Sequence, residues 1–433
     1  MNLLYANDRK GEYPASYYAA TATPLDQFPI LQGAVTADIC VVGGGYMGLS
    51  SALHLAEAGH DVVLIEAHRV GFGASGRNGG QVASGQRRDQ DELERMVGRQ
   101  DARRFWDLAQ DANALVRELI TRHAMPVTWR AGVAHACWTD AEVHHAHTYA
   151  ARMARDYVYD QLEPLDQTAI RRLVGSEAFK GGDLDHGAGH IHPLNFAIGL
   201  AKAATAAGVR IYERTEALQI AQGAKPQVLT TSGTVTCNHL ILAGNGYLGG
   251  LVPAYSARVM PINNFMLASE PLGDRARDIL SEPIAVADTK FVVNYWRLSD
   301  DNRLLFGGAE TYGYRFPDII KAVTKPMLEI YPQMRNVTID YAWGGTLAIT
   351  TNRMPALMRI APNILAASAC SGNGIAMATM TGKIMGDAVH ATSANFDLLA
   401  NLPQRSFPGG ATLRWPLLAL AMTWYSMRDR LGL

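Results

Sequence analysis

Three glycines, Gly43, Gly45 and Gly48, stand in GxGxxG register between a short apolar run and a helical stretch. The first permits a tight turn, the second lets backbone amides approach a diphosphate, and the third lets helix and strand pack closely. Tyr46 and Met47, between them, open the helix whose N-terminus supplies partial positive charge to an anion. Glu66 closes the next apolar run about twenty residues on, followed by Ala67, where a carboxylate accepts hydrogen bonds from a ribose 2′-hydroxyl and repels a 2′-phosphate. These residues fit the ADP half of a dinucleotide, and by themselves leave FAD and NAD both open. A second candidate is the glycine-rich loop Arg69–Gln81, in which Ser75, Arg77, Asn78, Gly79 and Gln81 are suited to a phosphate-bearing ligand; the alternative is a helix-capping loop with a solvated arginine. The turn Ser371–Ile375, containing Gly372, Asn373 and Gly374, aims amides at a site of developing negative charge.

Further chemistry could come from His190 and His192, which titrate near neutrality as acceptors of an ammonium proton or serve as backbone-bonded structural histidines. Tyr295, Trp296 and Arg297 sit on one strand, where the aromatics could cage an amine or pack in a core. No catalytic triad or metal-ligand spacing is present, and no metal is expected.

The elements that position these residues alternate in α/β fashion. Asp38–Val42 reads as a buried parallel strand, Tyr46–Ala58 as a helix stopped by Gly59, and Val62–Ile65 as a second strand, a complete βαβ unit. Asp89–His123 reads as one long amphipathic helix. The α/β pattern resumes with a helix at Phe196–Ala207, a strand at Val209–Glu213, a hairpin over Val228–Leu242 ending at Gly244, and a last strand at Ile364–Ala367. Strands dominate Arg258–Ala309, with Phe291–Trp296 and Arg303–Phe306 as parts of a meander.

Composition narrows the partners. In 433 residues, 39 Lys and Arg nearly balance 40 Asp and Glu, so no field draws the chain to nucleic acid. The four cysteines are scattered, which fits a reducing cytoplasm, and no secretory signal is visible. The apolar stretch Trp415–Met427, broken by Pro416, is too short to span a bilayer, but Trp415, Trp424 and Tyr425 with Arg414, Arg428 and Arg430 suit peripheral membrane contact or a tail helix packed on the body.

The runs Asp38–Glu66 and Gly71–Gln81, with Gly189–Pro193, Ala243–Gly246, Tyr341–Gly345, Asn352–Pro355 and Ser371–Ile375, resemble the D-amino acid oxidase and glycine oxidase superfamily, most of all its γ-glutamylputrescine oxidase branch. The resemblance spans most of the chain. It implies a Rossmann-like, discontinuous FAD-binding domain (37–90, 186–260, 341–400), a substrate domain on a mixed, mainly antiparallel sheet (91–185, 261–340) and a C-terminal tail (401–433). It implies FAD contacts from Ser75, Arg77, Asn78, Gly79, Gln81, Ala217, Gly244, Gly345 and the Gly372–Ile375 turn, and it brings His192 toward the flavin. Where glycine oxidases place an Arg to clamp a substrate α-carboxylate, this chain has Leu347; Leu347–Thr351 holds no Cys to tether a flavin, and Leu304–Gly307 holds no Lys of the kind that promotes reaction with oxygen. Asn373 replaces the His common in the glycine-rich turn of relatives. The expectation is therefore noncovalent FAD and oxidation of an amine lacking an α-carboxylate, γ-glutamylputrescine-like, with oxygen or another electron acceptor. The alternative is a cyclic or N-methylated amino acid such as pipecolate, proline or sarcosine, clamped by Arg297 or Arg353 and with electrons passing to a quinone.

Overall fold

The structure is a computed structural model in which residues 2–368, 370–389 and 393–410 are described. The membrane-contact element expected at Trp415–Leu433 lies outside the described residues, and among those described no helix is long and apolar enough to cross a membrane.

The chain opens with α1 (Tyr17–Thr21) and enters the βαβ unit β1 (Gly33–Val42), α2 (Tyr46–Glu57) and β2 (Val62–Ile65). It continues through β3 (Gln81–Val82), α3 (Gln90–Val97), α4 (Arg99–Arg122), β4 (Arg130–Cys137), α5 (Asp140–Tyr157), β5 (Leu162–Leu165), α6 (Gln167–Val174) and β6 (Gly181–His190). Then come α7 (Pro193–Ala206), β7 (Arg210–Tyr212), β8 (Gln219–Ala221), β9 (Gln227–Leu229), β10 (Gly233–Leu242) and α8 (Pro253–Ser256). The last part holds β11 (Met260–Ser269), β12 (Ala285–Asp288), β13 (Tyr295–Leu298), β14 (Leu304–Thr311), α9 (Ile319–Ile330), β15 (Ile339–Ile349), β16 (Ala356–Ala361), β17 (Ile364–Ser368), α10 (Gly374–Asp387) and α11 (Ala394–Ala400).

One sheet runs in the order β16-β17-β10-β1-β2-β7, with β8 and β9 added beside β10. β1 lies between parallel neighbours β10 and β2, and its inner half, Ile39–Val42, is wholly buried, which is why that half is an unbroken apolar run. α2 covers one face against α7 and α10. Small residues let α2 and α10 approach: the Ser50 and Ser51 hydroxyls donate to the Thr379 and Gly382 carbonyls at 2.7 Å, and any Cβ at Gly382 would strike the Met47 carbonyl.

The second sheet runs β15-β11-β14-β13-β12-β4-β6-β3, with β5 on β6, and is mostly antiparallel. Its apolar core packs Trp296, Phe306 and Tyr331 beneath α6 and α9. β15 pairs with β11 over its whole length, so the segment from 341, expected in the nucleotide-binding block, begins inside this second sheet. Two other expectations are corrected. The helix expected over Asp89–His123 is two helices broken at Gly98, whose φ of +80° ends α3 and starts α4. The strand expected from Phe291 begins only at Tyr295, and Phe291 is exposed.

Candidate active site

The carboxyl ends of β1, β10 and β17 open into one cavity of about 1520 Å³ that continues along the face of the second sheet. This is the crevice at which open α/β sheets bind ligands. At its β1 end Gly43 takes φ +113°, and a Cβ there would lie 2.8 Å from the Ala243 carbonyl oxygen. A Cβ on Gly48 would overlap the Gly43 carbonyl oxygen, so Gly48 packs the turn rather than lining the cavity. Gly45, Tyr46 and Met47 do line it. Gly45 caps α2 without a side-chain bond of its own, while the Ser75 hydroxyl accepts from the Tyr46 amide at 3.0 Å.

Glu66 lines the cavity beside Ala67, its oxygens accepting from the Gly44 amide at 2.7 Å and the His68 amide at 2.8 Å. Burial pushes its carboxyl up to about 7 against those hydrogen bonds. Ala217 and Gly244 close this end. An N-terminal arm covers it as well: Asn2, Leu3 and Leu4 line the cavity, Tyr5 donates to Glu216 at 2.5 Å, and the Leu4 carbonyl lies 2.8 Å from His68 Nε2.

The Arg69–Gln81 loop runs along the cavity wall. Asn78 Nδ2 donates to the Ala74 and Ser75 carbonyls, both at 3.0 Å, and its Oδ1 accepts from the Gly80 amide at 2.9 Å. Gln81 is tied to the second sheet through the Val286 carbonyl at 2.8 Å. Arg77 also lines the cavity. Its guanidinium is paired with Asp8 at 3.1 Å and donates to the Phe72 and Gly344 carbonyls at 2.7 and 2.9 Å, stacked over the Phe72 ring. Asp8 already balances the charge expected to meet a phosphate, so Arg77 ties the arm, the loop and β15 together. Its Nη2 has no hydrogen-bond partner among the described residues.

Gly345, Leu347, Arg353 and the Gly372–Ile375 turn complete this wall. Asn373 Nδ2 donates to the Gly85 carbonyl and leaves Oδ1 buried without a partner among the described residues. Arg353 takes φ +62°, makes no ion pair within 4 Å among the described residues, and is held below the usual arginine range by burial.

The residues proposed for chemistry separate. Tyr295 lines the cavity, its ring against Gly79 and Gly307, its hydroxyl bonded to Asn264 Oδ1. Trp296 does not line it: the strand turns it to the other face, 1% exposed and stacked on Phe306. His192 lies outside the cavity, capping α7 through Nδ1 on the Asn195 amide at 3.1 Å, with Nε2 3.1 Å from Thr21 Oγ1. Burial, then Arg297, pushes it down to about 4, and His190, on the Pro283 carbonyl at 3.0 Å, to about 3. Arg297 is buried behind the loop on the Gly79 and Ile191 carbonyls and the Tyr18 hydroxyl at 3.0, 3.3 and 3.2 Å. Neither histidine nor Arg297 faces a ligand in the main cavity.

Residues 38–388 match the family model DAO, described as FAD dependent oxidoreductase. The chain belongs to the DAO family of FAD-dependent oxidoreductases. It is 42% identical over 424 residues to the gamma-glutamylputrescine oxidoreductase of Escherichia coli K12, covering 97% of this chain and 99% of that one. It is 39% identical over 420 residues to the probable oxidoreductase OrdL of Rhizobium meliloti, covering 96% and 97%. Its fold matches glycine oxidase from Geobacillus kaustophilus with a TM-score of 0.72 at 21% identity, over 86% of this chain and 99% of that one. The L-proline dehydrogenase of P. horikoshii matches at 0.68 and 19%, over 86% and 96%.

The residues present fit the cofactor of the DAO family. A Cβ at Gly43 or Gly45 would press on the Ala243 carbonyl or the Ser75 hydroxyl beside the cradle, and the N-termini of α2 and α10 both reach the cavity without a side-chain cap from their N-cap residues. The cavity wall contains residues that had not stood out beforehand. The arm 2–8 acts through contacts with Glu216 and Arg77, far away in the chain. His135, Tyr159, Asp183 and Asp185 come from strands or loops with no motif. Glu310 carried a weak signal, a carboxylate just past Gly307-Gly308 on a strand.

Proposed function

We propose that this enzyme oxidises the C–N bond of an amine whose reacting carbon carries no carboxylate, with γ-glutamylputrescine-like compounds as the substrate class. The carrying observation is Leu347, an aliphatic side chain on the cavity wall, opposite Ile262 in the β11–β15 register, at the place the resemblance reserves for a carboxylate-clamping arginine. A carboxylate there would lose hydration and gain no partner. The likeness to gamma-glutamylputrescine oxidoreductase supports the same class.

FAD, bound noncovalently, would lie with its diphosphate at Gly43, Gly45 and the α2 N-terminus and its adenosine ribose at Glu66. Its ring would run along Ser75, Asn78, Gly79, Gln81 and Gly345 to the Gly372–Ile375 turn. When bound, it supplies the acceptor for a hydride from the carbon bearing nitrogen. The chain orients the amine and shields the reaction from bulk water; the imine formed takes up water to give an aldehyde and release the amine nitrogen. The electrons pass on to oxygen or another acceptor.

Arg353 favours a second reading, a cyclic or N-methylated amino acid, because its unpaired guanidinium faces the cavity. Anaerobic flavin bleaching by γ-glutamylputrescine, putrescine, pipecolate, proline and sarcosine separates the two. Bleaching by γ-glutamylated amine alone supports the first reading; bleaching by the amino acids alone replaces it. Peroxide yield in air, against the rate with an artificial acceptor, distinguishes an oxidase from a dehydrogenase.

A further inference from the structure

On the second sheet, Asn264 of β11 stands between Glu310 of β14 and Gly345 of β15. Tyr295 of β13 reaches across to Asn264, and Leu347 lies one same-face position along β15 from Gly345. Glu310, Asn264, Tyr295 and Leu347 therefore form one patch of cavity wall, on which Glu310 is the charged group.

A carboxylate has room for about four hydrogen bonds. Glu310 uses one, from the Tyr312 hydroxyl to Oε2 at 3.0 Å. The other carboxylates along this half of the cavity are engaged by protein donors. Asp183 is held by His135 at 2.8 Å; Asp185 by the Tyr159 hydroxyl and the Gly187 amide; Asp288 by the Asn294 amide and side chain at 2.8 and 2.7 Å; Glu142 by the Thr139 amide at 2.8 Å. No cation lies within 4 Å of Glu310 among the described residues. Arg353, after β15, and Arg87, beyond β3, act on it only at longer range.

We infer that Glu310 is the group that holds the substrate's ammonium at the reacting carbon and accepts its proton, an inference that rests on the amine-oxidation reading. An N–H bond of the ammonium breaks with its electron pair staying on nitrogen, and an O–H bond forms on Glu310. The neutral amine that results is the form that can release hydride. The groups facing Glu310 are Tyr312 at the end of its own strand, Tyr295 from β13, and the two arginines. Burial raises its carboxyl, while Tyr312 and the arginines pull it down, and burial wins. A carboxylate so placed attracts an ammonium, repels an α-carboxylate, and complements Leu347 in selecting the substrate.

The test uses the FAD-loaded enzyme and its variants Glu310→Gln, Glu310→Asp and Tyr312→Phe, each checked for flavin content. tert-Butylamine, which has no hydrogen on the carbon bearing nitrogen, reports binding through the flavin absorbance it perturbs. Loss of a charge-assisted contact should weaken it roughly 10- to 150-fold in Glu310→Gln, with Glu310→Asp in between. In anaerobic reduction by γ-glutamylputrescine, Glu310→Gln should move the acid limb of the pH profile up toward the titration of the free amine itself. Tyr312→Phe, lacking a donor that lowers the carboxyl, should move that limb to higher pH. Unchanged tert-butylamine binding, or an acid limb left at its original pH in Glu310→Gln, would overturn the inference. If Glu310→Gln fails to hold flavin, Tyr312→Phe decides by whether its limb moves. If no amine reduces even the parent enzyme, the amine-oxidation reading falls, and tert-butylamine binding alone still decides whether Glu310 is a cation site.

Discussion

Replacing Asp8 with alanine separates two roles for Arg77. The Arg77 side chain is 2% exposed and Asp8 10%, with one guanidinium nitrogen 3.1 Å from both carboxylate oxygens. At that separation an effective dielectric near 20 gives an attraction of about 5 kcal/mol. Removing one member of a buried pair costs about 3–5 kcal/mol, because the remaining charge stays dehydrated. In a chain of this size each kcal/mol moves the melting temperature by about 1 °C. Asp8→Ala should therefore melt roughly 3–5 °C lower. The arm's hold on Glu216 and His68 would also loosen, so FAD should dissociate faster. If Arg77 instead turns to the diphosphate when FAD binds, the phosphates would compensate the cation, and only the FAD-free enzyme would lose stability. Melting of both forms, followed by tryptophan and flavin fluorescence, discriminates. A fall in both forms, at least as large with FAD as without, supports the Asp8 pairing; a fall confined to the FAD-free form refutes it, as does no fall in either.

Gly48→Ala should abolish flavin retention, since a methyl group there overlaps the Gly43 carbonyl and must open the turn; flavin-to-protein absorbance ratios check it. Leu347→Arg should open oxidation of a small α-amino acid such as glycine by at least 10-fold in kcat/KM, since one charged hydrogen bond contributes about 1.5–3 kcal/mol, and should weaken γ-glutamylputrescine. Trp296→Phe should lower the melting temperature by a few degrees, as removal of buried ring area does, while leaving the flavin reduction rate within about twofold; a larger rate loss would return Trp296 to the site. His135 is disfavoured as a cation by burial, but Asp183 at 2.8 Å outweighs this and pushes it up to about 9. Its folded pKa thus exceeds the unfolded ~6.5, so its contribution is complete below 6.5 and lost as pH rises through 9. The ring is 44% exposed to cavity water, which screens the pair. The melting temperature should fall modestly between pH 6.5 and 9.5, and Asp183→Asn should flatten that slope.

The βαβ unit was legible because its determinants are local: every residue that shapes the turn at Gly43–Gly48 lies within one strand-helix-strand stretch or closes directly on it. Strand faces were only half legible. Alternation along β13 requires Tyr295 and Trp296 to point to opposite faces, so both could not meet one ligand, yet nothing nearby in sequence says which face is the cavity. That depends on β14 pairing on one side and β12 on the other. Arg77 shows the same limit for charge. The loop seen alone offers Arg77 to a phosphate, and its ion pair with Asp8, sixty-nine residues away, could not be read from the loop.

The near-neutral composition likewise hid how charge is arranged in the cavity. At one end the α2 and α10 N-termini present backbone amides beside the Glu66 and Glu216 carboxylates. The opposite wall carries Glu310 and the aliphatic Leu347, with Arg353 elsewhere on the same lining. On the proposed reading, a diphosphate binds at the first end and an ammonium at the second. On the amine-oxidation reading, selectivity follows from two positions on the strands that flank β11 in one sheet, Leu347 and Glu310: exchanging either charge preference should change which end of an amino acid can approach the flavin, with the rest of the scaffold unaltered.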